Sequence, residues 1–229
     1  MSAKIKACVF DAYGTLLDVT APVRALQAEL GGHAHSIAEL WRSKQLQYTW
    51  LRSLMGNYAD FERVTADSLD YALEAHGLRG APVREKLLAL FTSLEAYPDA
   101  LSCLETLKKA GARTGILSNG SPPMLAAAVT SAKLGALLDY ILSVDAVKIY
   151  KPSPRVYELA TNAFGLEPGE IGFVSANAWD CSGAAAFGFH VVHVNRFNQA
   201  DERLGAAAAV HVTSLTAAAA VLTDLLPRG

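Results

Sequence analysis

Five short runs, KACVF (6–10), RTGILS (113–118), YILSV (140–144), IGFVS (171–175) and HVVHVN (190–195), are apolar and rich in β-branched residues. Such runs suit strands buried on both faces of a parallel sheet. Helical patterns lie between the later ones. PPMLAAAVTSAKLGA begins with prolines suited to a first turn, and SPRVYELATNAFG opens on Ser-Pro and closes at Gly165. Strand then helix, repeated, predicts an α/β fold built on a doubly wound parallel sheet. The Gly/Ala-rich stretch at 205–209 reads as a loop running into a last short strand, VHV.

Residues 20–97 break the alternation and read as helix after helix. IAELWRSKQLQYTWLRSLM ends at Gly56, TADSLDYALEAHG offers Thr65 as a cap and Gly77 as a stop, and VREKLLALFTSL spaces Val83, Leu87, Leu90 and Leu94 along one face. The sheet resumes after YPDALSCLETLKKAGA, a Pro-Asp helix start with Lys108, Lys109 and Gly111 at its end. The expected division is a core domain of residues 1–15 and 98–229 with an all-helical cap, 16–97, inserted into it.

At 229 residues the chain can bury a sizeable core, but two ordinary domains would be a squeeze. Its formal charge of −2 offers no basic field for nucleic acid or an anionic membrane, so a small molecule is the expected partner. MSAKIKACVF meets Asp11 before any full apolar leader segment develops, and LGAAAAVHVTSLTAAAAVLTDLL is interrupted by His211 and by Thr and Ser residues. Neither reads as a signal peptide or a membrane span. Cys8, Cys103 and Cys181 are odd in number and far apart, which fits reduced thiols in a cytoplasm and no metal-ligand pattern.

In open parallel sheets the ligand lies beyond the carboxyl ends of the strands, so the residues that follow each run carry the information. Here they are Asp11, then Ser118-Asn119-Gly120, then Asp145 with Lys148 and Lys151 shortly after, then Ser175 through Asp180. Taken singly each has a plain explanation. Asp11 could be a nucleophile, a metal ligand or a strand-end cap; Ser-Asn-Gly is a common turn; Lys151 could be a loop lysine; Asp180 could complement a helix dipole. Four such coincidences at one rim, in strand order, point instead to one site.

The order FDAYGTL, LSNG, KPSPRVYELA and FVSANAWD resembles the haloacid dehalogenase superfamily and, within it, the (S)-2-haloacid dehalogenase branch. The likeness runs from the first strand to about residue 197 and includes WRSKQLQYTWLRSLMGNYADF in the helical region. The chain departs from the branch's pattern at Ser43, beside Arg42, where a larger polar residue is expected. A phosphatase of this superfamily needs a second acid two residues after the nucleophile and paired acids after the fourth strand to hold Mg²⁺. This chain has Tyr13 at the first place and only Asp180 at the second, which disfavours phosphoryl transfer and predicts no metal and no cofactor.

Displacement of halide makes other demands. An ionised carboxylate must attack carbon in line, and the halide leaves without a proton. The resemblance implies that Asp11 is the nucleophile of an ester-forming step, held by Lys151, Thr15 and Ser175. Asp180 would activate the water that hydrolyses the ester, with Asn177 and Lys151. The substrate carboxylate would meet the Ser118 hydroxyl and the amides of Ala12, Tyr13 and Ser118. Arg42 and Asn119, with Phe61 and Trp179, would receive the halide, and Leu46 would wall the pocket. Tyr157 is expected to support Lys151 or only to pack, and Arg42 alone would read as a snorkelling surface residue. The implied activity is conversion of short (S)-2-haloalkanoates to (R)-2-hydroxyalkanoates, in a cytoplasmic homodimer. The alternatives are a small-molecule phosphatase of the same superfamily and a catalytically silent carboxylate-binding protein. The six histidines lie away from these motifs and no GxSxG elbow is present, so a serine hydrolase has little support.

Overall fold

Four consecutive buried residues form β1 (Ala7–Phe10), as a strand covered on both faces requires. The computed structural model describes residues 5–200 and 202–227; residues 1–4, part of the stretch read as lacking a leader, lie outside the described residues. After β1 the chain enters five helices in succession: α1 (Ala21–Ala25), α2 (Gln27–Leu30), α3 (Ala34–Leu54), α4 (Phe61–Ala75) and α5 (Val83–Thr92). The departing and returning ends of this helical segment are tied together. Leu17 bridges Ala96 in antiparallel fashion, the Asp18 amide donates to the Glu95 carbonyl, and the Tyr97 amide donates to that of Leu16.

The remaining elements alternate: α6 (Ala100–Lys109), β2 (Arg113–Ser118), α7 (Pro122–Ser131), β3 (Tyr140–Ser143), α8 (Pro154–Phe164), β4 (Ile171–Ser175), α9 (Ala178–Phe187), β5 (His190–Val194), β6 (Val210–Val212) and α10 (Leu215–Leu225). All six strands pair in parallel in the order β3-β2-β1-β4-β5-β6. This is the doubly wound α/β sheet that the apolar runs predict. The chain leaves β1 for β2 and β3, then crosses back to place β4 on the other side of β1. The crevice at such a reversal, beyond the carboxyl ends of β1, β2 and β4, is where open α/β sheets bind ligands. No helix among the described residues is long and apolar enough to cross a membrane.

Two local expectations are corrected. The cap of α4 is Asp60, whose carboxylate accepts from the Arg63 amide at 2.8 Å, so the cap lies five residues ahead of the expected Thr65. Thr65 instead lies within α4, buried against α3. In α5 the buried residues are Val83, Leu87 and Phe91, leaving Leu90 half-buried; the 100° step per residue turns Phe91 rather than Leu90 inward.

Candidate active site

Asp11 continues the ladder one residue past β1, its amide donating to the Val174 carbonyl. Gly14 then adopts φ +90°, a region that side chains other than glycine enter at a cost, and the chain turns beneath the strand ends. The turn leaves Asp11 only 6% exposed, so its carboxylate oxygens must find donors in the protein.

The two oxygens are treated differently. Oδ2 accepts from Thr15 Oγ1 at 2.9 Å, Asn177 Nδ2 at 2.8 Å and Ser175 Oγ at 3.4 Å. Among the described residues, Oδ1 accepts from Lys151 Nζ alone, at 3.1 Å. The same ammonium donates to Asp180 Oδ2 at 2.8 Å, and Tyr157 Oη donates to Asp180 Oδ1 at 2.7 Å. A fully buried lysine therefore stands between two buried carboxylates, with the Phe173 ring 5.1 Å away on another side. The positive charge between the two acids is the protein's own. No cluster of three or more metal-ligating side chains occurs among the described residues.

Burial sets the electrostatics. It pushes the Asp180 carboxyl up to about 6; Lys151 opposes this, Asp11 adds to it, and the bonds from Lys151 and Tyr157 hold it down. Burial alone pulls Lys151 down, but Asp11 and Asp180 more than offset that and leave its ammonium above the ordinary value. Burial also raises the Tyr157 phenol, and the Asp180 charge beside it adds to the rise, so Tyr157 stays a donor.

The α9 N-terminus delivers two of these groups. Asn177 occupies the N-cap position, yet its side chain bonds Asp11 and the Tyr13 carbonyl and makes no cap bond to its own helix. Forgoing a side-chain cap typically costs about 1 kcal/mol of local stability, which this helix gives up to hold the carboxylate. Asp180 sits in the first turn of α9, facing Lys151.

Beyond β2, Ser118 Oγ accepts from the Gly120 amide at 3.0 Å, which leaves its proton free to donate. Asn119 Oδ1 accepts from the Lys151 amide at 3.2 Å and so pins the loop that carries the lysine. Ala12 and Tyr13 follow Asp11 in the turn. The Tyr13 ring stacks on Phe91 at 5.5 Å and lies tilted against Phe61 at 5.3 Å. Trp179 meets Trp50 edge-on at 5.5 Å. Arg42, Leu46, Asn177 and Trp179 line a cavity of about 290 Å³ that also reaches Gly14. An apolar cavity of about 490 Å³ shares Trp179 with it and reaches Lys151.

Asp11, Thr15, Lys151, Ser175, Asn177 and Asp180 thus form one bonded cluster. One expectation needs correction. Tyr157 bonds Asp180, not Lys151, because its ring is placed beside the α9 N-terminus. Asn177 bonds Asp11 through its side-chain amide. Arg42, which taken alone reads as a snorkelling surface residue, is partly buried, and donates through Nη2 to Asn177 Oδ1 at 3.1 Å and through Nη1 to Gln45 Oε1 at 2.8 Å. No hydrogen bond joins Arg42 to Asn119 among the described residues. Ser43 is exposed beside it. Sequence reasoning leaves Gln45 unnamed and reads its partner Thr65 only as a helix cap; the available signal is an amide in line with Ile37, Trp41 and Thr49 on the stripe that α3 buries.

Comparison with known proteins follows the same lines. The haloacid dehalogenase-like hydrolase family matches residues 5–188. The (S)-2-haloacid dehalogenase 1 of Pseudomonas sp. (strain CBS-3) is 50% identical over 199 residues, spanning 86% of this chain and 88% of that protein. A dehalogenase crystallised as an intermediate complex superposes with a TM-score of 0.94 at 43% identity, each chain covered in full. The L-2-haloacid dehalogenase of Xanthobacter autotrophicus with chloropropionic acid covalently bound superposes with a TM-score of 0.88 at 37% identity, over 95% of this chain and 98% of that one.

Proposed function

Since the chain belongs to the haloacid dehalogenase-like hydrolases, we propose that it acts as an (S)-2-haloacid dehalogenase, turning short (S)-2-haloalkanoates into (R)-2-hydroxyalkanoates and halide. The observation that carries the reading is the Asp11–Lys151–Asp180 arrangement, in which one buried ammonium serves a nucleophile and a base.

The unequal donor sets of Asp11 support Oδ1 as the attacking oxygen. Oδ2 has three donors, whereas Oδ1 has only Lys151 and keeps a lone pair for carbon. Oδ1 attacks C2 from the face opposite the halogen, and the halide leaves with the bonding pair, so C2 inverts. The Ser118 hydroxyl, with the amides of Ala12, Tyr13 and Ser118, fixes the substrate carboxylate, as a turn running into a helix N-terminus suits an anion. Arg42 and Asn119 receive the halide, while Tyr13, Leu46, Phe61 and Trp179 exclude water until the ester has formed.

In the ester, Oδ2 has become the carbonyl oxygen. Water attacks Cγ of Asp11, not C2, and the charge that builds on Oδ2 falls on the donors already there: Thr15, Ser175 and Asn177. Asp180 takes the proton from that water, and Tyr157 and Lys151 hold its carboxylate in place. Because the second step leaves C2 alone, the inversion of the first persists in the product. Residues 16–97 act in this reading as a cap that supplies Arg42, Leu46 and Phe61. The exposed Leu51, Leu54 and Met55 near the end of α3 support a homodimer through this segment, and three buried free thiols fit a cytoplasmic enzyme.

The test is chloride release from each enantiomer of 2-chloropropionate by purified protein in the presence of a chelator. Release from the (S) form alone, undiminished by chelation, is expected. Release from neither, or only with Mg²⁺, contradicts the proposal and favours the phosphatase or the silent binding protein.

A further inference from the structure

We propose that Gln45 is the positioning residue that holds the Arg42 guanidinium where the departing halide arrives, an inference that rests on the dehalogenase reading above. Gln45 is 1% exposed, in a helix stripe otherwise made of Ile37, Trp41 and the short Thr49. A buried amide is tolerated only where both of its ends are satisfied. Here both are: Oε1 accepts from Arg42 Nη1 at 2.8 Å, and Nε2 donates to Thr65 Oγ1 at 2.8 Å. The amide has one workable orientation, because a guanidinium only donates and must face the oxygen.

Thr65 is itself an anchored post. Its carbonyl accepts from the Trp41 indole at 3.0 Å and from the Ser68 hydroxyl at 3.0 Å, which ties α3 to α4 at this point. Arg42 is then gripped on two sides, by Gln45 from the helical segment and by Asn177 from the core, and Asn177 bonds the nucleophile. Two of its five N–H groups are used in this grip, and three remain for an anion. Arg42 and Gln45 also line a cavity of about 480 Å³. Without the amide the long side chain has room to swing away from the reacting carbon, and its rotamer entropy favours that. Gln45 touches no substrate in this account; it acts through Arg42.

The assistance matters only while the carbon–halogen bond breaks, and matters most for the poorer leaving group. The experiment compares kcat/KM, which covers the steps through halide departure, for (S)-2-chloropropionate and (S)-2-bromopropionate. Gln45→Leu should lower the chloro value by about tenfold to a hundredfold, the range for losing a hydrogen bond to a charged group. The bromo value should fall less, so the bromo/chloro ratio rises, while hydrolysis of preformed ester keeps its rate. Thr65→Val should raise the ratio in the same direction, and Thr65→Ser, which keeps the hydroxyl, should rescue it. If Gln45→Leu does not fold, the Thr65 pair decides. An equal loss for both halogens, or no loss, overturns the proposal. Failure of the unaltered protein to release either halide instead overturns the dehalogenase reading itself.

Discussion

In the proposed mechanism Asp180 must be ionised to take a proton from water, yet it is buried beside a second acid. Burial and the Asp11 charge push its carboxyl toward the neutral form, to about 6 in the free protein. Ester formation removes the Asp11 charge and leaves Lys151 to Asp180 alone, so both changes favour the carboxylate. The sign follows: ester hydrolysis should lose rate only as pH falls through a value below about 6, and run flat above it. Single-turnover hydrolysis measured against pH checks this, and an acid limb at 7 or higher contradicts it. Tyr157→Phe deletes a bond that lowers the Asp180 value, so it should move the limb upward. It should also slow hydrolysis by about tenfold to a hundredfold, as expected for a hydrogen bond to a charged group worth about 1.5–3 kcal/mol. A limb that stays in place would assign Tyr157 to packing alone.

Among the elements, the strand-end turns set the tolerances. A Cβ on Gly120 would stand 2.6 Å from Tyr13 Cε2 and 3.1 Å from Leu125 Cδ2. The Tyr13 ring is wedged between Phe61 and Phe91 and has little room to yield. Gly120→Ala should therefore destabilise by about 1–3 kcal/mol, the range for overpacking, and raise KM through the displaced Tyr13 turn. Thermal melting with Michaelis kinetics reads both, and an unchanged Tm contradicts the argument. The strands and the later helices are legible in the sequence because apolar runs and proline or glycine boundaries are local signals. The start of α4 is not, because Asp60 and Thr65 both qualify as caps and only the packing of α3 on α4 chooses between them. The same competition recurs at Asp99, whose carboxylate passes over its own helix to bond Arg196 and the Leu215 amide.

For the whole molecule, the rim is legible because parallel-sheet topology gathers strand ends: Asp11, Ser118, Ser175 and Asp180 can be named together without coordinates. Bonds that join the helical segment to the core cannot. Arg42 reaches Asn177, Tyr58 reaches Asp145 and the Tyr150 hydroxyl reaches the Ala59 carbonyl, each across a long stretch of chain whose fold alone sets the distance. In the proposed mechanism such contacts help to keep bulk water from Asp11 until the ester has formed. In the proposed mechanism oxygen passes from Asp11 to carbon and from water to Asp11. One turnover in heavy-oxygen water, with enzyme in excess over (S)-2-chloropropionate, tests this transfer. The product hydroxyl should carry ordinary oxygen and the label should appear in the Asp11 peptide; label in the product of that first turnover would contradict it.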